Sequence, residues 1–283
     1  MQGNLGPNPE YHSLMKSLLS VVGSKSKLEL VWLTSCGATA NETALKIIRQ
    51  KKYPATKVMA FRHCFAGRTT ALQELTDNPK YRESQPVYGE VSYLPFFEPE
   101  SSISAAEQGI SAAKLFKEEL ERYPGKFACL EFELVQGEGG FNVAPREFLI
   151  PIMDVAKKAG LAIWVDEVQT FGRTGEIFCY QRLGIEEYVD VVTVAKLLQN
   201  GAVLYSKEYN PKPGLVSGTF AGSSSGLRAG IKALEMLKSG LAGKGGRVYS
   251  LENQTIEHFK SLKNSDVGQF VKDYTVYGGM IAF

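Results

Sequence analysis

The chain has 283 residues, 44% of them hydrophobic and 22% charged, with 32 basic side chains against 30 acidic ones for a net charge of +2. That length can bury a substantial core in one large domain, or in one domain and part of another. Charges of both signs are interspersed, so there is no basic stripe for a nucleic-acid backbone, and nucleic acid is not an expected partner.

The start, MQGNLGPNPEYHS, is polar and lacks the charged and apolar regions of a secretion signal. No apolar run reaches the length that crosses a bilayer, so a soluble protein without a membrane partner is expected. The segment TSCGATANETALKIIRQ (34–50) places the small residues Gly37 and Ala38 directly before a helical pattern over 41–52. Backbone amides at such a helix start can approach an anion, and the helix dipole favours it; a plain glycine-containing turn reads equally well from this segment alone.

Strand-like runs follow at KVMAF (57–61) and VSYLPF (91–96), then a helical pattern over 103–123, and a strand at ACLEFEL (128–134). A helix over 146–159 leads to the strand AIWVDE (162–167), and further strands are expected at VVTVAK (191–196) and AVLYS (202–206). Alternation of helices with apolar strands predicts an α/β sheet covered on both faces, whose ligands gather at the carboxyl ends of strands. From Gly226 a long helical stretch, the glycine-rich GLAGKGGR, another helix to about Lys263 and a final strand-like YGGMIAF suggest a second unit. The expected division is a large domain over 1–225 and an incomplete small C-terminal domain over 226–283.

Cys36, Cys64, Cys129 and Cys179 lie far apart, without metal-ligand spacing, so neither a zinc site nor a disulfide scaffold is expected, and a reducing compartment such as the cytoplasm is. The acidic pair ending IWVDE resembles that of ATP-hydrolysing enzymes, but no phosphate loop accompanies it: Gly125-Lys126 and Gly243-Lys244 lack the flanking glycine and hydroxyl. Serine hydrolysis fails too, because G-x-S-x-G is absent and His12, His63 and His258 sit in no catalytic motif. What remains is a carboxylate, Asp166, and an amine, Lys196, at the ends of two strands. A lysine to bond an aldehyde carbon and an anion to keep a pyridine nitrogen protonated are what pyridoxal phosphate requires. Taken singly, each is more often a solvated strand terminus, a cap or a salt bridge.

CGATANETALK, FAGRTTAL, ELVQGEGG, WVDEVQTFGRTG, VTVAK and GTFAGSSSGLRAGIKALEML, in this order, resemble the class III (ω-) aminotransferases of the type I pyridoxal-phosphate fold. That family includes 4-aminobutyrate, ornithine, acetylornithine and lysine ε-aminotransferases, and SLLSV (17–21) looks most like the 4-aminobutyrate branch. The resemblance implies a mixed, mostly parallel sheet flanked by helices, pyridoxal 5′-phosphate as cofactor, and transfer of an ω-amino group to 2-oxoglutarate. It also implies a homodimer with shared active sites. Lys196 would bond the cofactor and shuttle the substrate proton, Asp166 would pair with the pyridine nitrogen, and Gln169 would reach the phenolic oxygen. Phe65 would stack on the ring, or serve only as a core aromatic. Gly37 and Ala38 would bind phosphate through their amides, and Thr219 would reach the phosphate of the neighbouring subunit. Arg68 would hold a substrate carboxylate, Glu138 would gate the second substrate, and Glu133 would sit near Gln169 behind the site.

Three positions depart from the family pattern: Ala66 stands where a histidine is usual, LLQNG follows Lys196 in place of a glycine run, and the loop after DEVQT is one residue short. The gating arginine expected to partner Glu138 would lie beyond Phe283. A noncatalytic, cofactor-binding remnant serving a complete subunit is therefore the alternative function.

Overall fold

The computed structural model describes residues 8–283, so residues 1–7 of the polar start lie outside the described residues. The chain runs α1 (Pro9–Leu19), β1 (Leu30–Thr34), α2 (Gly37–Lys52), β2 (Lys57–Phe61), α3 (Leu72–Leu75), β3 (Val91–Leu94), α4 (Ala105–Arg122), β4 (Phe127–Glu133), β5 (Val135–Gln136), β6 (Asn142–Val143) and α5 (Arg146–Lys158). It continues through β7 (Ala162–Glu167), α6 (Cys179–Leu183), β8 (Val191–Val194), β9 (Gly201–Tyr205), α7 (Ser224–Met236), α8 (Arg247–Lys263), β10 (Thr275–Tyr277) and β11 (Met280–Ala282).

Seven strands form one sheet in the order β1-β9-β8-β7-β4-β2-β3. Only β9 runs against its neighbours; the remaining pairings are parallel. β4, β7, β8 and β9 are buried at every position, because helices cover both faces. This is why their sequences read as continuous apolar runs rather than as alternating ones.

Side chains of each strand still divide between the two faces. Leu130, Phe132, Ile163 and Val165 join a core with Phe116 of α4 and Phe148 of α5. Cys129, Ala162 and Trp164 pack instead with Ala40, Ala44 and Ile48 of α2. Period-two alternation therefore places Asp166 on the α2 face and Glu167 on the opposite one. The close approach of α4 to α5 depends on Gly109, where an added Cβ would stand 2.5 Å from the Phe148 carbonyl oxygen.

After the sheet, α7 returns across α1: a Cβ on Gly230 would meet Leu14 at 3.3 Å. α8 is tied to the body by Arg182, which grips Glu252 with two hydrogen bonds of 2.8 Å while its guanidinium lies 3.7 Å from the centre of the Tyr277 ring. The β10–β11 hairpin reaches the loop after β7 through Gly279, whose amide donates to the Arg173 carbonyl at 2.7 Å.

The structure differs locally from the sequence expectation. α1 and β1 are additional elements. A five-residue apolar run such as LVWLT carries too little periodicity to separate strand from helix. α2 begins at Gly37, four residues before the expected start, and β8 stops at Val194, so Lys196 is not a strand terminus. It opens a 3₁₀ turn with a positive φ of 44°, a conformation uncommon outside glycine.

Candidate active site

A cavity of about 310 Å³ opens at the carboxyl ends of β7 and β8, lined by the start of α2, the loop after β2, and the loops leaving β7 and β8. Gly37, Ala38, Phe65, Arg68, Glu133, Asp166, Gln169 and Lys196 all lie in its wall. Residues up to 159 positions apart in sequence thus meet in one hollow because parallel strands end on the same edge of the sheet.

Asp166 forms the buried floor, with 4% of its surface exposed. Its Oδ1 accepts from the Val168 amide at 2.8 Å and its Oδ2 from the Asn41 side-chain amide at 2.7 Å. Burial raises its carboxyl to about 6, against the lowering effect of the Val168 and Asn41 donors. Asn41 also donates to the Ala66 carbonyl at 2.7 Å, joining α2, the loop after β2 and the end of β7. The sequence motifs point to no role for Asn41. A polar side chain on the face of α2 that otherwise buries Ala40 and Ala44 was the available signal.

Lys196 extends its Nζ to the Gln169 Oε1 at 2.7 Å. Burial and the nearby positive charge of Arg173 lower its ammonium from the usual range, while Asp166, Glu138 and Glu133 oppose that. A larger share of neutral amine at neutral pH follows, as a nucleophilic lysine needs. Gln169 fits only because Gly137 has no side chain: a Cβ there would collide with the Gln169 Oε1.

Glu133 accepts from the Phe65 amide at 2.9 Å and the Gly137 amide at 3.1 Å. It therefore anchors the loop that presents Phe65 to the cavity, and burial together with the charge of Asp166 raises it to about 8. Thr76 secures the same loop, accepting from the Ala66 and Gly67 amides at 3.0 and 3.1 Å. Glu167, the second acid of the strand end, points away from the cavity. It accepts from the Cys179 and Tyr180 amides at 2.8 Å each and from Thr170 at 2.9 Å, and so holds the loop 168–178 to the start of α6.

Two of the sequence candidates stand elsewhere. Glu138 is exposed beside a smaller hollow on the far side of Phe65, and Thr219 sits in an exposed turn between β9 and α7. The four cysteines are free, and among the described residues no cluster of three or more His, Cys, Asp or Glu could hold a metal ion. No described helix is long and apolar enough to cross a membrane.

The buried carboxyls carry a consequence for stability. Asp166, Glu167 and Glu133, held at about 6, 7 and 8, all bind their proton more tightly folded than unfolded. Their stabilising effect is present at low pH and is lost as pH rises through those values. The thermal midpoint of the ligand-free chain is therefore expected to fall from about pH 4, where the unfolded carboxyls begin to lose their protons, to about pH 8. A melting series would contradict the carboxyl values if the midpoint rose over that window.

The cavity fits pyridoxal phosphate. A buried carboxylate at its floor suits a protonated ring nitrogen. The amine of Lys196 suits an aldehyde carbon, and the first-turn amides of α2, which have no acceptor within the helix, suit a phosphate. The cradle at that helix start is tight, since a Cβ on Gly37 would stand 2.7 Å from the Val168 Cγ1.

A sheet of this order with its cavity at the carboxyl ends of β7 and β8 is that of an α/β transferase of the type I pyridoxal-phosphate fold. An amine transaminase from an uncultivated Pseudomonas species, solved in its cofactor-bound form, superposes with a TM-score of 0.87 at 20% identity over 99% of this chain and 68% of that one. Lysine aminotransferase of M. tuberculosis gives 0.81 at 22% identity over 97% and 67%; both are likenesses of fold. The chain belongs to the class-III aminotransferase family, whose model, Aminotransferase class-III, matches residues 3–283. It is 31% identical to the acetylornithine aminotransferase of Oceanobacillus iheyensis over 91% of its own length and 62% of that enzyme's. To the 2-aminoadipate transaminase of Pseudomonas putida it is 32% identical over 98% and 67%. It spans 56% of the acetylornithine aminotransferase of Bacillus subtilis, at 34% identity.

Proposed function

We propose that the protein is a pyridoxal-phosphate-dependent aminotransferase that moves the ω-amino group of a carboxylate-bearing donor to 2-oxoglutarate, giving glutamate and an aldehyde. The observation that carries this reading is the meeting of Lys196, Asp166 and the start of α2 in one cavity. When bound, pyridoxal phosphate supplies an electrophilic aldehyde carbon and a ring that accepts the electron pair released from the substrate carbon.

The rest of the work falls to the chain. Lys196 Nζ takes the proton from the substrate carbon and returns it, held in place by Gln169. Asp166 keeps the proton on the ring nitrogen, and Asn41 and the Val168 amide fix its carboxylate in orientation. Phe65 covers one face of the ring and excludes water. The Gly37 and Ala38 amides hold the phosphate. Arg68, exposed at the cavity wall and without an ion pair among the described residues, offers its planar fork to the donor's carboxylate.

A homodimer belongs to the same reading. Thr219 lies outside the cavity of its own chain, next to Phe220, which is 64% exposed, and on this proposal the turn reaches the phosphate of a second copy. Glu138 admits the second substrate at the mouth, and residues 226–283 belong to a second, smaller domain. Among donors, the likeness to acetylornithine aminotransferases favours acetylornithine, which carries both an ω-amino group and the carboxylate that Arg68 would bind.

The test has two readouts on purified chain. Absorbance of bound cofactor after gel filtration reports loading, and its conversion to the amine form by 4-aminobutyrate, ornithine, acetylornithine or lysine reports the first half of transfer. Loading with conversion by a carboxylate-bearing donor is expected. Loading without conversion by any donor would leave a cofactor-binding protein, and no loading would end the proposal.

A further inference from the structure

Behind Phe65 lies a second hollow of about 120 Å³, lined by His63, Phe65, Asp77, Tyr81 and Glu138 among others. Tyr81 closes a short 3₁₀ turn, Pro79–Tyr81, which Asn78 caps by accepting from the Lys80 amide at 3.1 Å. Its ring has three partners. The Arg68 guanidinium lies 4.2 Å from the ring centre, Phe65 meets it edge to face at 5.8 Å, and its hydroxyl is 3.4 Å from Glu138 Oε2.

Arg68 and Glu138 are thus an exposed cation over the face and an exposed anion at the hydroxyl edge of one aromatic ring. Among the described residues they form no ion pair with each other, and Arg68 makes no hydrogen bond within the chain. An exposed ion pair and an exposed cation–π contact are of similar strength, so the ring competes on equal terms for the guanidinium. The two leave different surfaces free. A carboxylate partner occupies the N–H fork, whereas a ring engages only the planar face and leaves the fork open.

We propose that Tyr81 sets the carboxylate affinity of the cavity mouth by keeping Arg68 and Glu138 apart. The ring face holds the guanidinium, the hydroxyl holds Glu138, and the Arg68 fork stays open to a substrate carboxylate. Tyr81 is a positioning residue acting through Arg68, and the inference rests on the reading of Arg68 as the carboxylate site. Removing the ring lets Glu138 close on Arg68 and compete with the substrate for the same donors.

The probe is glutarate, a dicarboxylate with neither amine nor carbonyl to react. Its dissociation constant is measured by calorimetry on the full chain, and in parallel by the absorbance change of the cofactor-loaded chain. Tyr81→Leu is expected to weaken glutarate binding about three- to tenfold, and Tyr81→Phe, which keeps the ring on Arg68 but releases Glu138, by a smaller amount. Glu138→Gln is expected to restore most of that loss in the Tyr81→Leu background, a larger gain than it gives on the chain that keeps Tyr81. That unequal effect is the signature of two charges kept apart, because a merely structural loss would not be repaired by removing a charge at 138. The proposal is overturned if Tyr81→Leu binds as tightly as wild type, if Glu138→Gln helps equally in both backgrounds, or if wild-type chain shows no glutarate binding by calorimetry. Absence of bound-cofactor absorbance in wild type would instead overturn the cofactor reading, while the calorimetric series still decides the role of Tyr81.

Discussion

Replacing Lys196 by alanine is expected to lower amino transfer at least about a hundred- to ten-thousandfold, the range associated with loss of a positioned acid–base group. It should also abolish covalent retention of the cofactor. Lys196 is the only lysine in the cavity wall, so no other amine among the described residues stands ready to replace it. Its Nζ is already oriented by Gln169 at 2.7 Å, and burial together with Arg173 favours its neutral form. The positive φ at Lys196 is the local condition for this aim, turning the chain out of β8 and toward the loop after β7. Borohydride reduction of loaded wild-type chain followed by peptide mapping should place a phosphopyridoxyl label on Lys196. A label on another lysine, or an alanine variant with near-normal turnover, would contradict the assignment.

Asp166→Asn should lower turnover at least about a hundredfold while leaving the label on Lys196 intact, comparable to removing one preorganised electrostatic partner from a transition state. The substitution keeps size and shape but removes the charge that would hold a proton on the ring nitrogen. It also puts a donor opposite the Asn41 amide, which now donates to Asp166 Oδ2 at 2.7 Å. Turnover in single-turnover and steady-state assays, compared with the extent of labelling, separates this electrostatic role from cofactor capture. If turnover stayed within a few-fold of wild type, Asp166 would be a structural acid.

Much of the architecture was legible because both faces of the sheet are covered. Six apolar runs with helical patterns between several of them implied an α/β sheet, and the strands β2, β3, β4, β7, β8 and β9 occupy those runs within a residue or two. The candidate site was legible for a related reason. Residues at the carboxyl ends of parallel strands share an edge wherever the strands lie in the sheet, so DEVQT, QGEGG and the lysine after VTVA could be grouped without knowing the strand order. Less accessible were elements whose signal is not local. β1 carries five residues and no pattern, and pairs with β9, which is about 170 positions away in sequence.

The sequence by itself determined the inventory: a glycine-led helix start, an acid ending one strand, a lysine after another, and arginine and glutamate in the flanking loops. Tertiary structure alone decided how these are divided and joined. Alternation along β7 turned Asp166 to the α2 face and Glu167 to the other, making one acid the floor of a cavity and the other an anchor for a loop. Asn41 joined the site because α2 packs over that strand end, and Tyr81 came between Arg68 and Glu138 because a surface turn folds back over Phe65. The physical reason is one of range. Propensity and hydrophobic period act over a few residues, whereas a side chain's hydrogen-bond and charge partners are chosen by packing across the whole chain.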